Sequence, residues 1–384
     1  MKNPKIAISA YGKFDLFRWA EGFQKKGLLF KLFTEFYSKK TPLLSWRRKD
    51  TEDIDLEKVE TFFWPRFWRP ILRKIFRSAY FENVWFDRWT SKRILGSDIF
   101  LTRSSTALET IKVAKAHGIK TILYRGSSEI RFQHKIRREE FTKFGLEGEY
   151  EDGRSVEREL EEYRLTDYIY TPSSYSAKTY VDSGIPAEKI IHFPLSAEKF
   201  ESVVKKEHAG INVVYVGSVS VAKGVPYLLE AASRLADRKD ISFTLIGNIS
   251  SEMEEIRKKY EGNIDYAGKV RHHKLADFYG EADFLVFPTI DDGFGQVMVE
   301  AMSCGLPVIA TDHSGAPDII EDGVNGFVVP AGNSEKILEK IMFFYGNRDK
   351  MRQMGENAKK TADNFPIDKF TDNWINFFKK VGWA

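Results

Sequence analysis

A single cysteine, Cys304, in 384 residues excludes an intramolecular disulfide and a cysteine-rich zinc site, and it points to a reducing compartment. No stretch of about 18 consecutive apolar residues occurs, so no membrane-spanning helix is expected. The first apolar run, Ile6 to Ala10, is too short for the core of a secretory signal, and no export signal is expected. That run leads into Ala10-Tyr-Gly-Lys-Phe-Asp15 rather than into a Gly-x-Gly-x-x-Gly turn, which disfavours a dehydrogenase. Repeats of 20 to 50 residues and low-complexity tracts are also missing.

What is present is a globular composition, 42% hydrophobic and 30% charged, in a chain long enough for two domains at roughly 100 to 200 residues each. The net charge of +4 hides an asymmetry. Residues 1–195 carry 36 Lys and Arg against 27 Asp and Glu, net +9, which leaves the remainder net −5. A basic half suits phosphorylated ligands, an anionic membrane or nucleic acid, and charge alone does not choose among them.

Short β-rich runs alternate with helix-length segments throughout, the rhythm of an α/β protein with parallel sheets. In the first half the runs begin at Lys5, Leu28, Asp98, Lys120, Tyr168 and Ile190. Helices are expected over Thr106 to His117 and Ser173 to Ser183, and Gln133 to Arg164 reads as a charge-laced helical stretch on a solvated face. The polar segment Ser196 to Gly210 marks a domain boundary, giving domains over 1–195 and 210–365. Beyond it the pattern restarts, with strands from Asn212, Ser242, Asn263, Asp283, Pro307 and Gly326, and predicts a second doubly wound sheet.

Two turns in the second half suit anions. In open α/β sheets ligands sit beyond the carboxyl ends of strands, where glycine turns and helix N-termini expose backbone N–H groups. The first is Val216-Gly-Ser-Val-Ser-Val-Ala-Lys-Gly-Val-Pro226, which aims Lys223 near a helix start; taken alone it is equally an ordinary strand-to-helix connection with a surface lysine. The second runs from Phe287 through Asp292-Gly-Phe-Gly-Gln296 to Glu300. Glu300 falls on an apolar helix face, where a carboxylate needs a partner, and a ribose diol would serve.

These residues resemble the retaining, nucleotide-sugar-dependent glycosyltransferases of the GT-B family four. The family's acidic residue, Phe-Gly pair, second acidic residue after seven intervening positions, Ala-Met and Gly-x-Pro-Val are matched by Asp292, Phe294-Gly295, Glu300, Ala301-Met302 and Gly305-Leu-Pro307-Val308. Thr311 to Asp318 and Glu321 to Pro330 are similar to its later turns, and Gly217 with Lys223-Gly224 to its phosphate loop. Three positions depart from the pattern: Asp292 stands in place of Glu, Ser218 in place of Arg, and Glu129 in place of His.

The resemblance implies a GT-B fold, two Rossmann-like domains facing across a cleft, with residues 366–384 returning to the first. It implies Lys223, Asp292 and Glu300 as catalytic residues and Gly217, Ser218, Gly224, Val270, Gly293, Phe294, Gly295 and Gln296 as donor-binding ones. On the acceptor side it suggests Gly12, Arg125, Glu129 and Arg131, with Arg125 or Arg131 replacing the cation absent at Ser218. The implied reaction passes a sugar from a nucleoside-diphosphate sugar to a glycan or lipid-linked acceptor, without metal or other cofactor because lysine and helix dipoles face the diphosphate. Asp53-Ile-Asp55 reads as solvated surface rather than a metal site.

Residues 62–77 interleave Arg66, Arg69, Arg73, Lys74 and Arg77 with aromatic and aliphatic groups. This suits an anionic membrane surface, which would place the protein peripherally on the inner, cytoplasmic face; a core-packed helix with snorkelling arginines is the alternative. No nucleic-acid motif accompanies the segment. Two other functions use the same architecture, a nucleotide-sugar epimerase and a non-catalytic nucleotide-sugar-binding scaffold.

Overall fold

The computed structural model describes residues 3–12, 15–40, 52–62, 79–147, 152–200, 203, 205–206, 208–260 and 262–384. Apart from Phe62, the aromatic and basic segment 62–77 lies outside the described residues.

Strands β1 (Ile6–Ala10), β2 (Leu29–Thr34), β3 (Val59–Thr61), β4 (Ile99–Arg103), β5 (Lys120–Tyr124), β6 (Tyr168–Thr171) and β7 (Ile190–His192) form one parallel sheet in the order β3-β2-β1-β4-β5-β6-β7. Strands β8 (Ile211–Val216), β9 (Ile241–Ile246), β10 (Ile264–Gly268), β11 (Phe284–Phe287), β12 (Val308–Thr311) and β13 (Gly326–Val329) form a second, ordered β10-β9-β8-β11-β12-β13. Central strands are covered by helices on both faces, so β1 and β11 are buried at every residue and, Ser9 apart, their sequences are apolar without alternation. In each sheet the chain winds outward, returns to the middle and winds the other way. The reversals fall at β1/β4 and β8/β11, and a crevice opens beyond the strand ends at such points.

The stretch from Gln133 to Arg164 is not a solvated face. It forms parts of two helices, Ile130–Lys143 and Gly153–Leu165, and the second buries Arg158, Glu159, Glu162 and Tyr163. The carboxylates are tolerated inside because donors surround them: Glu162 accepts from the backbone N–H groups of Ser105 at 2.6 Å and Ala107 at 2.8 Å. The short edge strand β3 and the helices Leu16–Lys25 and Tyr80–Ser91 join the elements expected from the sequence in the first domain.

The last helix, Ile367–Lys380, lies on the first domain. Fully buried Trp374 packs against Tyr170, Phe193 and Trp19, with ring centroids 4.9, 5.0 and 6.3 Å away. Among the described residues no helix is long and apolar enough to cross a membrane.

Candidate active site

The loop after β8 is built to approach the loop after β11. The Tyr215 hydroxyl donates to the Ser218 carbonyl at 2.7 Å and fixes the first turn. Gly224 caps the helix Val225–Ser233 with φ of 64°, and a Cβ there would lie 1.8 Å from the Pro288 carbonyl oxygen. Only glycine satisfies both the left-handed backbone and the close approach. Lys223, just before it, is thereby carried to the second loop.

There the Asp292 backbone N–H donates to the His313 carbonyl at 3.1 Å, while Asp292 Oδ1 accepts from the Phe294 N–H at 3.0 Å. Gly295 caps the helix Gln296–Ser303. Lys223 Nζ stands 2.5 Å from Asp292 Oδ2, with 26% and 23% of the two side chains exposed. The pair is therefore solvent-accessible, and an incoming anion can reach the lysine.

The facing wall comes from the first domain. Asp15, at the head of the helix Leu16–Lys25, accepts from Gln296 Nε2 at 2.8 Å and from the Tyr124 hydroxyl at 3.0 Å. Burial first, and then the Asp15 charge, push the Tyr124 hydroxyl well above its ordinary value of 10. A cavity of about 240 Å³ is lined by Asp15, Tyr124 and Gly126 on this side and by Gly217, Lys223, Asp292, Phe294, Gly295 and Gln296 on the other. Sequence reasoning missed Asp15 as a site residue. The available signal was a carboxylate just past the end of β1, at the point where the strand order reverses.

Glu300 stands apart from this cavity lining. It is 6% exposed, and its partners are His272 Nε2 at 3.0 Å and the Tyr279 hydroxyl at 3.4 Å. The Glu300 hydrogen bond raises the His272 pKa above 6.5 against the opposing effect of burial, with Glu198 adding a smaller attraction. The partner that Glu300 requires is thus present in the protein, two residues beyond half-buried Val270. Ser218 is exposed.

On the acceptor side, the expectation that Arg125 supplies a cation to the cleft needs correction. The Arg125 charge does not cross the cleft: its guanidinium sits 2.7 Å from Glu159 and donates to the Ser128 carbonyl at 2.7 Å and to Gln133 Oε1 at 2.9 Å. Burial works to lower its pKa, but the attraction of Glu159 and the smaller ones of Tyr163, Tyr180 and Asp291 together outweigh it and hold the cation. Glu129 caps the helix Ile130–Lys143, accepting from the Phe132 N–H at 2.9 Å, and is 1% exposed. Arg131 lines a different cavity of about 400 Å³ together with Arg164 and Lys189. Gly12 has φ of 100°, and the two residues that follow it lie outside the described residues.

Residues 196–361 match the family described as glycosyl transferases group 1. An uncharacterized 41.2 kDa protein of the cps region of Klebsiella pneumoniae is 32% identical over 218 residues, 52% of this chain and 59% of its own length. The capsular polysaccharide biosynthesis glycosyltransferase CapM of Staphylococcus aureus is 29% identical over 190 residues, 47% of this chain and 48% of its own. The chain thus spans about half the length of these curated relatives. Among solved structures, Anabaena Alr3699/HepE in complex with UDP and glucose superposes with a TM-score of 0.69 at 15% identity, covering 98% of this chain and 100% of that one. Sucrose-phosphate synthase from Thermosynechococcus elongatus gives 0.67 at 15% identity, covering 98% and 99%. With two facing parallel sheets and the cleft between them, the chain has the GT-B fold of two Rossmann-like domains, and its residues 196–361 match the glycosyl transferases group 1 family.

Proposed function

We propose that the protein is a retaining glycosyltransferase that moves a sugar from a nucleoside-diphosphate sugar to a glycan or lipid-linked acceptor in the synthesis of surface polysaccharide or glycolipid. The observation that carries this reading is the Lys223–Asp292 pair, 2.5 Å apart, lining with Gly295 a cavity whose opposite wall is Asp15 and Tyr124. As the sugar C1–O bond breaks, charge builds on the leaving diphosphate. Lys223 and the N-termini of Val225–Ser233 and Gln296–Ser303 oppose that charge in a site already organised for it. A pyrophosphate that takes over Lys223 frees Asp292 for the hydroxyls of the donor sugar. Glu300 exchanges His272 for the ribose diol. The reading uses no metal.

The acceptor class is supported by the relatives, one from a cps region and one named for capsular polysaccharide synthesis. A nucleoside diphosphate is supported by the Anabaena structure, which holds UDP and glucose. Residues 62–77, basic and aromatic, would hold the enzyme on the inner face of an anionic membrane.

A thermal-shift screen of nucleotide sugars identifies the donor, since a ligand at 100 times its dissociation constant adds about 2.7 kcal/mol. The stabilising donor is then incubated with and without glycan acceptors. Release of free nucleoside diphosphate that requires the acceptor is expected. Interconversion of the sugar without an acceptor would instead identify an epimerase, and binding with no release a scaffold.

A further inference from the structure

Beside Asp292 lies a carboxylate that the chemistry above does not use. Asp291 is 1% exposed. Its Oδ2 accepts from Gln133 Nε2 at 2.6 Å and from Ser127 Oγ at 3.1 Å, and its Oδ1 accepts from the Tyr175 hydroxyl at 3.0 Å. All three donors belong to the first domain, whereas Asp291 belongs to the second. A carboxylate sealed from water is tolerated only when donors replace the water. Burial works to raise its pKa, yet the hydrogen bonds, Gln133 foremost, hold it below the usual carboxylate value, with the Arg137 charge adding attraction.

The same contacts reach Asp292. Tyr175, which donates to Asp291, stacks on the His313 ring at 5.0 Å and 17°. His313 in turn accepts the Asp292 N–H through its carbonyl at 3.1 Å and approaches the Ile290 carbonyl through Nδ1 at 3.0 Å. Tyr175, Asp291, Asp292 and His313 thus close a ring that joins the domain interface to the site.

We propose that Asp291 is a positioning residue, which gathers Ser127, Gln133 and Tyr175 onto one buried carboxylate, latches the two domains closed and so sets where Asp292 stands in the cleft. The interaction exists only while the domains are together. When they part, each partner returns to water, so the contact favours closure without making it irreversible. The consequence for catalysis rests on the transferase reading; the latch itself does not.

The test separates the two. Spin labels at Glu188→Cys and Lys258→Cys, exposed positions on the two domains, report the interdomain distance in the absence of substrate. With Asp291→Asn, which keeps the shape but presents an amide to the Gln133 amide, the distance distribution is expected to broaden and lengthen. Acceptor kcat/KM is expected to fall roughly tenfold, whereas nucleoside diphosphate affinity stays within about twofold, because a smaller closed fraction taxes only the ligand that needs both domains. Adding Gln133→Glu to Asp291→Asn exchanges donor and acceptor across the interface, and at least half of both losses is expected to return. A distance distribution unchanged by Asp291→Asn, or no recovery in the double variant, would overturn the latch. If the parent protein transfers no sugar, the function fails, and the spin-label distances still decide the latch.

Discussion

Among the described residues Lys223 pairs with Asp292 at 2.5 Å and lies close to two helix N-termini, so its ammonium can pass from a carboxylate to a phosphate with little movement. Removing one such preorganised cation costs on the order of 100 to 1000-fold in rate. Lys223→Ala is expected to lose that much kcat in a sugar-transfer assay, and near-parental turnover would end its role. His272 offers a second handle. Its pKa is raised in the folded protein above 6.5, first by the Glu300 hydrogen bond. A raised folded pKa means that its contribution to stability is complete below 6.5 and fades as pH climbs through the higher folded value. With 45% of the His272 side chain exposed, the effect is modest. The melting temperature of His272→Gln is expected to fall short of the parent by roughly one or two degrees near pH 6, a gap that closes by about pH 9. A gap that widens with pH would contradict the pairing. Of these residues, Lys223, Asp292 and Glu300 were legible in the sequence through their spacing. His272 was not, because its meeting with Glu300 joins residues 28 apart in the chain.

At the scale of elements, the strands of the second domain follow the apolar runs closely, since strands buried on both faces leave no ambiguity about what can occupy them. Helices were read less well wherever charge stood for exposure. Gly153–Leu165 carries Glu159 and Glu162 fully buried, a pattern that composition assigns to the surface and that donors from Arg125, Ser105, Ala107 and Tyr163 make tolerable. The last helix shows the reverse, because its Phe370, Trp374 and Phe378 are apolar and buried, and the cluster of Trp19, Tyr170 and Phe193 supplies their seat. Gly22 lets the helix come near, since a Cβ there would stand 2.6 Å from Thr371 Oγ1. Trp374→Ala empties a fully buried ring position and is expected to cost about 3 to 5 kcal/mol in urea unfolding. A loss under about 1 kcal/mol would mean that the helix is not seated as described.

For the whole molecule, the decisive quantity is how closely the two domains approach. Gly293 measures it: a Cβ there would lie 2.2 Å from the Gly126 carbonyl oxygen and 2.8 Å from the Ser127 nitrogen, both backbone atoms of the facing domain. Gly293→Val is therefore expected to hold the domains apart, raising the radius of gyration in solution scattering with unchanged circular dichroism. A displacement of about 1 Å at reacting groups costs up to roughly 100-fold, so transfer is expected to fall on that scale. Unaltered scattering with full activity would show that the cleft tolerates the extra atoms. By itself the sequence determined the two parallel sheets and the order of the glycine turns with Lys223, Asp292 and Glu300, because periodicity, turn chemistry and spacing are local properties of the chain. Tertiary structure alone decided that Asp15 and Tyr124 face that site, that Arg125 is held by Glu159, and that Asp291 joins the domains. Each of those depends on residues far apart in sequence, and a buried charge takes its role from whichever donor the fold brings within about 3 Å of it.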